Sequence, residues 1–279
     1  MQCQHQQVCF DDFVGRFMKK NDLAIMILSC DRYEDLWSFF FESFFKYWPD
    51  CNFPLYLVSN TKTYSDYRVT TLLTGVDRDW STTLKNALNL IDHEDVFFIF
   101  EDIFLKSRVD NQRFTQAYKW FRDKDASYLR LRPFPRPDFH IDDHYGVLDN
   151  KAMYRTSLFF AFWGRKSLIS ALRPGESPWE FEMLSVARCK DLSGFYVARD
   201  ACFDFIHGVE RGKWIPSTFK YLQQNGLNPD KKSRPQMNKY ESFSYKLKMM
   251  KAIILRTLTG RQLAYLLSLK SQLLGSNLS

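Results

Sequence analysis

Apolar residues fall along this chain in two alternating patterns. Residues 23–30, 53–60 and 95–102 are short runs in which most positions are apolar, the pattern of strands covered on both faces in a parallel sheet. Between them lie longer stretches with apolar or aromatic residues at helical spacing, over 32–48, closed by Pro49, and over 81–91. A helix over 111–123 and a strand over 127–133, ended by proline, continue the series. Alternation of this kind predicts an α/β fold, a doubly wound, mostly parallel sheet flanked by helices. No internal repeat or low-complexity segment interrupts it.

Open sheets of this class bind ligands beyond the carboxyl ends of their strands, so the residues that follow each strand form the candidate site. After the first strand come Ser29, Cys30, Asp31 and Arg32, after the second Ser59 and Asn60, and after the third Glu101 and Asp102. Asp31 and the Glu101–Asp102 pair are therefore expected to face one crevice. Two adjacent carboxylates at a strand end suit a hard divalent cation, Mg²⁺ or Mn²⁺, shared with substrate phosphates. The same two residues also fit a turn, with Asp102 capping it and Glu101 in solvent.

Composition changes this picture little, but charge divides the chain. With 279 residues, 45% of them hydrophobic and 17% aromatic, a large core is available. No apolar run approaches the ~18 residues of a membrane span, and the first residues lack the cationic-then-apolar order of a signal peptide, so a cytoplasmic location is expected. Six cysteines without a C-x-x-C pair are expected to be free thiols. The net charge of +7 is confined to residues 230–279, which hold ten Lys or Arg against Asp230 and Glu241; the remainder has 29 bases and 30 acids. A neutral body argues against nucleic acid as a partner, since the positive charge is confined to the tail. Residues 1–229 are thus expected as one domain and 230–279 as a basic, apolar helical extension, which either lies peripherally on an anionic membrane surface or packs on its own domain.

Further candidates follow from local chemistry. Ser177, Pro178 and Glu180 match the N-cap, first and third positions of a helix, with Ser-x-x-Glu as a capping box. Glu182 lies about 200° round the helix from Glu180 and has no such local partner. Arg130 and Arg132 alternate with leucines and share one face of a strand, suited to a diphosphate, an acidic sugar or surface ion pairs. The proline-rich stretch 130–150 reads as surface loop, and its His140, Asp142, Asp143 and His144 as solvated or sugar-contacting rather than metal-binding. Trp163 and Trp179 fit either sugar stacking or the core. No Gly-rich phosphate loop and no G-x-S-x-G elbow is present.

The stretches 29–37, 46–60, 79–88, 96–105, 154–168 and 173–182 together resemble the GT-A fold of nucleotide-sugar glycosyltransferases. The likeness extends to a bacterial group associated with capsule or O-antigen polysaccharide biosynthesis, and spans roughly residues 22–210. It implies a nucleotide-diphosphate sugar donor held by Ser29, Asp31, Arg32, Asn60, Trp80, Ser81, Glu101 and Asp102. It further implies Glu101 and Asp102 as metal ligands, Glu182 as general base with Glu180 as second choice, and a glycan or lipid-linked acceptor met by Arg130, Arg132, Tyr154, Trp163 and Trp179. The family's acidic motif is Asp-x-Asp, whereas this chain has contiguous Glu101–Asp102, which leaves metal dependence open. An inverting transfer is expected from the base candidate. The alternative is a non-catalytic assembly protein of a polysaccharide-synthesis complex that keeps the fold.

Overall fold

The computed structural model describes residues 22–227, 229 and 232–275. In chain order the elements are β1 (Leu23–Leu28), α1 (Glu34–Tyr47), β2 (Leu55–Ser59), β3 (Val69–Leu73), α2 (Trp80–Asn89), β4 (Asp95–Phe100), β5 (Ile103–Leu105), α3 (Asn111–Asp123), β6 (Tyr128–Arg130), β7 (Phe139–His140), β8 (Tyr145–Val147), β9 (Ala161–Gly164), α4 (Arg165–Ala171), α5 (Pro178–Arg188), β10 (Phe195–Ala198), β11 (Phe205–His207), β12 (Val209–Glu210), β13 (Lys213–Trp214), α6 (Pro216–Gln224), α7 (Lys239–Leu255) and α8 (Gly260–Gly275).

The apolar run of β1 is continuous because both of its faces are covered. Leu23, Ile25 and Ile27 join Leu36, Trp37, Phe40, Phe41 and Phe44 of α1 in one core, with Phe114, Tyr118 and Phe121 of α3. Ala24, Met26 and Leu28 join a second core with Leu84, Ala87 and Leu88 of α2 and Leu168 of α4. The sheet is thus the middle of three layers, as the sequence pattern predicts. Side-chain caps start α2 and α3: Asp79 accepts from Thr82 N at 2.8 Å and Asp110 from Arg113 N at 2.9 Å.

Strands in the main sheet run in the order β3-β2-β1-β4-β9-β6-β10-β8-β7. β3, β2, β1 and β4 are parallel, β9 is inserted antiparallel between β4 and β6, and β10 is again parallel to β6. The strand order reverses at β1, which lies between β2 and β4. That makes the β1/β4 junction the topological switch point, where the crevice of an open sheet forms. Leu28 pairs with Phe100, so the chains after β1 and β4 leave the sheet side by side.

Four strands are shorter than the apolar pattern suggests, β1 and β4 ending at Leu28 and Phe100, before their polar residues. β2 starts at Leu55 because Pro54 has no N–H for the ladder, and β6 stops at Arg130 because Leu131 N turns to Phe160 O (2.8 Å). The C-terminal segment is helical and in contact with the body. Trp214 N donates to Pro235 O (2.9 Å), Met237 N to Trp214 O (3.0 Å), Arg136 N to Leu258 O (3.0 Å) and Met153 N to Gly260 O (3.2 Å). A Cβ on Gly260 would come within 2.5 Å of the Ala152 Cβ, so only glycine permits that approach.

Candidate functional site

Three chain segments meet at the switch point. Asp31, in the single turn of 3₁₀ helix after β1, turns its carboxylate onto the segment that follows β2. It accepts from Ser59 Oγ (2.8 Å), Asn60 N (3.1 Å), Thr61 N (3.0 Å), Thr61 Oγ1 (2.6 Å) and Lys62 N (3.2 Å). Partial burial opposes ionisation, but these donors outweigh it and hold the carboxyl well below the usual range. Asp31 is therefore a clamp that fixes one wall of the crevice. Asn60 returns the contact through Oδ1, which accepts from Asp31 N at 3.2 Å, while its Nδ2 is buried with no hydrogen-bond partner among the described residues. Ser29 Oγ accepts from the Trp37 indole at 2.7 Å, and the Arg32 side chain is 83% exposed.

Glu101 and Asp102 form the turn between β4 and β5, as the sequence predicts for the strand end. Glu101 is buried and Asp102 partly so. Burial pushes the Glu101 carboxyl well above its ordinary range, and the Asp102 charge adds to this. Burial likewise pushes Asp102 up to about 7, helped by the Glu210 charge and opposed by Arg234. Among the described residues no other side chain donates a hydrogen bond to either carboxylate. The turn is held through its backbone: Gly208 N donates to Asp102 O at 2.6 Å, and His207 pairs with Ile103 across β11 and β5. A Cβ on Gly208 would meet the Phe104 ring at 2.2 Å, so this approach also requires glycine.

Arg234, which its position assigns to the basic extension, is instead part of this crevice. It forms a bidentate pair with Asp35 (2.9 and 2.7 Å), donates to Gly212 O and Arg32 O (3.1 Å each), and lies 4.6 Å from the Tyr33 ring centroid. No local spacing signals it, because Asp35 is 199 positions away.

A second group of charges begins at α5. Its capping box is present as the sequence predicts, with Ser177 N donating to Glu180 Oε2 (2.8 Å) and Glu180 N to Ser177 Oγ (3.3 Å). Glu182 has tertiary partners that sequence spacing does not reveal. Its Oε1 accepts from Ser157 Oγ (2.8 Å) and Leu158 N (3.1 Å). Burial nevertheless raises its carboxyl, outweighing these bonds and the charges of Arg130 and Arg132. Arg132 packs its guanidinium among Phe134, Phe159 and Phe205, 5.1–5.8 Å from their centroids, and burial beside Arg256 and Arg130 lowers it to about 10. His207, absent from the sequence-based candidates, lies against Phe159. Burial and the Arg132 charge lower it to about 4, so its imidazole is neutral at pH 7. Glu210 thus acts on both Asp102 and His207, and Arg132 on both His207 and Glu182.

No family model and no curated protein matches the sequence. Among solved structures, the chain is similar to S. aureus TarS 1-349 in complex with UDP-GlcNAc, at a TM-score of 0.49 and 11% identity over 70% of this chain and 61% of that one. It is similar to the same fragment in complex with UDP, at a TM-score of 0.46 and 13% identity over 66% and 59% of the two chains. The bifunctional IspDF from Campylobacter jejuni follows at a TM-score of 0.36 and 17% identity, over 60% and 47%. The chain spans about three fifths of the length of the TarS fragment.

The remaining candidates separate by burial. Arg130 is buried and gives its guanidinium to three main-chain carbonyls, of Arg132 (3.0 Å), Tyr154 (2.8 Å) and Pro135 (2.9 Å), so it shapes the 132–154 loop from inside. Tyr154 is partly buried near Glu182, and burial followed by that charge raises its hydroxyl. Trp163 is a core residue, fully buried 4.8 Å from Tyr128, whereas Trp179 is 76% exposed. Trp80 leans on Phe181 at 5.6 Å, and Ser81 Oγ is bound to Glu176 O at 3.0 Å, which ties the start of α2 to the chain before α5. Among the described residues no group of three or more His, Cys, Asp or Glu converges on a metal position. No helix of the described residues is long and apolar enough to cross a membrane.

Proposed function

We propose that the protein is a glycosyltransferase that moves a sugar from a nucleoside diphosphate donor to a hydroxyl of a glycan or lipid-linked glycan in bacterial surface polysaccharide synthesis. One observation carries the reading: the Glu101–Asp102 pair at the switch point, two carboxyls raised by burial and unmatched by a directly bonded cation. Such a pair is poorly tolerated in its ionised form unless a cation joins it. Asp102 and Glu101 would hold Mg²⁺ or Mn²⁺, which supplies charge neutralisation to a diphosphate leaving group. Asn60, with its unpartnered amide, and the exposed Arg32 are the polar donors assigned to the nucleotide.

Glu182 is assigned as the general base, since a carboxylate with a raised pKa takes a hydroxyl proton more readily. The acceptor oxygen attacks the anomeric carbon while its proton passes to Glu182. The bond from that carbon to the diphosphate oxygen breaks, and its electron pair leaves with the nucleoside diphosphate. A single displacement of this kind inverts the anomeric centre. His207, neutral at pH 7, is the second base candidate.

Calorimetric titration of the protein with nucleoside diphosphates and nucleotide sugars, with and without Mn²⁺, tests the donor site. The wild type is expected to bind, and Asp102→Asn to bind about tenfold or more weakly when Mn²⁺ is present. Absence of binding to any nucleotide, or equal affinity of the two proteins under both conditions, refutes the assignment and favours a non-catalytic role for the fold.

A further inference from the structure

The outward face of the C-terminal helices carries large apolar side chains that folded proteins ordinarily bury. On α7, Tyr240, Phe243, Leu247, Met250 and Ile253 are each more than half exposed. The first four are spaced three or four residues apart and form one stripe along the helix. On α8, Tyr265, Leu266 and Leu267 are exposed as well. The stripe is not a frayed helix surface, because the opposite side of α7 is tied down. There Glu241 pairs with Lys213 and Lys248 with Glu210, and burial near Glu210 and Asp102 pushes the Tyr245 hydroxyl up to about 12.

Cations border this stripe. Lys239 and Lys246 lie on one flank and Lys251 on the other, all exposed and none of them in an ion pair among the described residues. Apolar side chains between free lysines match an anionic lipid surface, where the rings and methyl groups enter the headgroup boundary and the ammonium groups reach lipid phosphates. A second copy of the chain would instead bring two lysine-bordered faces together. We propose that the outward face of α7, continued by α8, docks the protein on an anionic membrane. Because the inward face of the same helix pairs Lys248 with Glu210, two residues beyond the Gly208 N–H that holds the Asp102 turn, docking holds the strand-end crevice close to the lipid surface. The inference rests on the helix surface and stands apart from the transferase reading.

Sedimentation of the full chain with large unilamellar vesicles tests it, comparing phosphatidylglycerol mixed with phosphatidylcholine against phosphatidylcholine alone. Binding to the anionic vesicles is expected at low salt and is expected to fall as salt rises. Lys239→Gln/Lys246→Gln/Lys251→Gln should weaken it by about 100-fold. Phe243→Ser/Leu247→Ser should abolish most of it even at low salt. Both variants change outward-facing positions, so their melting temperature and nucleotide binding should match the wild type, which separates this result from failure of the donor site. No vesicle binding by the wild type, or equal binding by the variants, overturns the proposal. A wild-type dimer that Phe243→Ser dissociates, without vesicle binding, overturns it in favour of a second copy.

Discussion

Glu182→Gln separates chemistry from structure at the proposed base. The wild-type Oε1 accepts two hydrogen bonds, from Ser157 Oγ at 2.8 Å and Leu158 N at 3.1 Å. A glutamine carbonyl in the same place accepts both, so the chain at 157–158 keeps its anchor. What is lost is the charge assistance of those bonds, about 1 kcal/mol in all, and the loss is offset because no partly buried charge has to be maintained. The melting temperature should therefore move by less than about 3 °C. Turnover should fall by roughly 10²–10⁴, because the amide has no lone pair basic enough to take the acceptor proton. Glu182→Ala is the structural control: it leaves the Leu158 N–H and the Ser157 hydroxyl without their acceptor, on the order of 2 kcal/mol, or about 4–8 °C. Steady-state kinetics against pH, with thermal melts of the same preparations, read both effects. The wild-type rate should rise with pH through a pKa above the ordinary glutamate value, and that limb should vanish in the glutamine variant. Retention of turnover within tenfold by Glu182→Gln, or its loss in Glu180→Gln, whose target only closes an exposed capping box, refutes the assignment.

Two further outcomes follow from the crevice. Asp102 titrates near 7 when folded and near 4 when unfolded, so its ionisation destabilises the fold: its contribution to stability should fall as pH rises from about 4 to about 7, then level off. Asp102→Asn should remove that fall, so its melting temperature should overtake the wild type's as pH is raised from 5 to 8; a constant difference across this range refutes the shift. Arg234→Met leaves the Asp35 carboxylate without its guanidinium and should cost about 3 kcal/mol in urea unfolding, while Arg234→Met/Asp35→Leu should recover much of it. Unchanged stability in the single variant argues against the Arg234–Asp35 pair as a structural link.

What the sequence determined by itself was local in origin. A strand buried on both faces is a short apolar run whatever its partners are, so β1, β2 and β4 are legible, and with them the carboxylates at their ends. The Ser177–Glu180 box is legible because its two members are three residues apart. Tertiary structure decided the rest. The antiparallel insertion of β9 and the short strands β5 and β11 are defined by pairing with distant chain, not by periodicity. Arg130, read from strand alternation as suited to a diphosphate, an acidic sugar or a surface ion pair, was turned inward by three main-chain carbonyls whose positions only the folded loop sets. Trp163 and Trp179 look alike in sequence, yet packing buried the first and left the second in solvent. Arg234 reached Asp35 across nearly the whole fold, and His207 was driven well below its ordinary pKa because packing buried it and put it near Arg132. Periodicity and caps depend on neighbours within a few residues, whereas the partner and protonation state of a charge depend on which distant groups the folded chain brings against it.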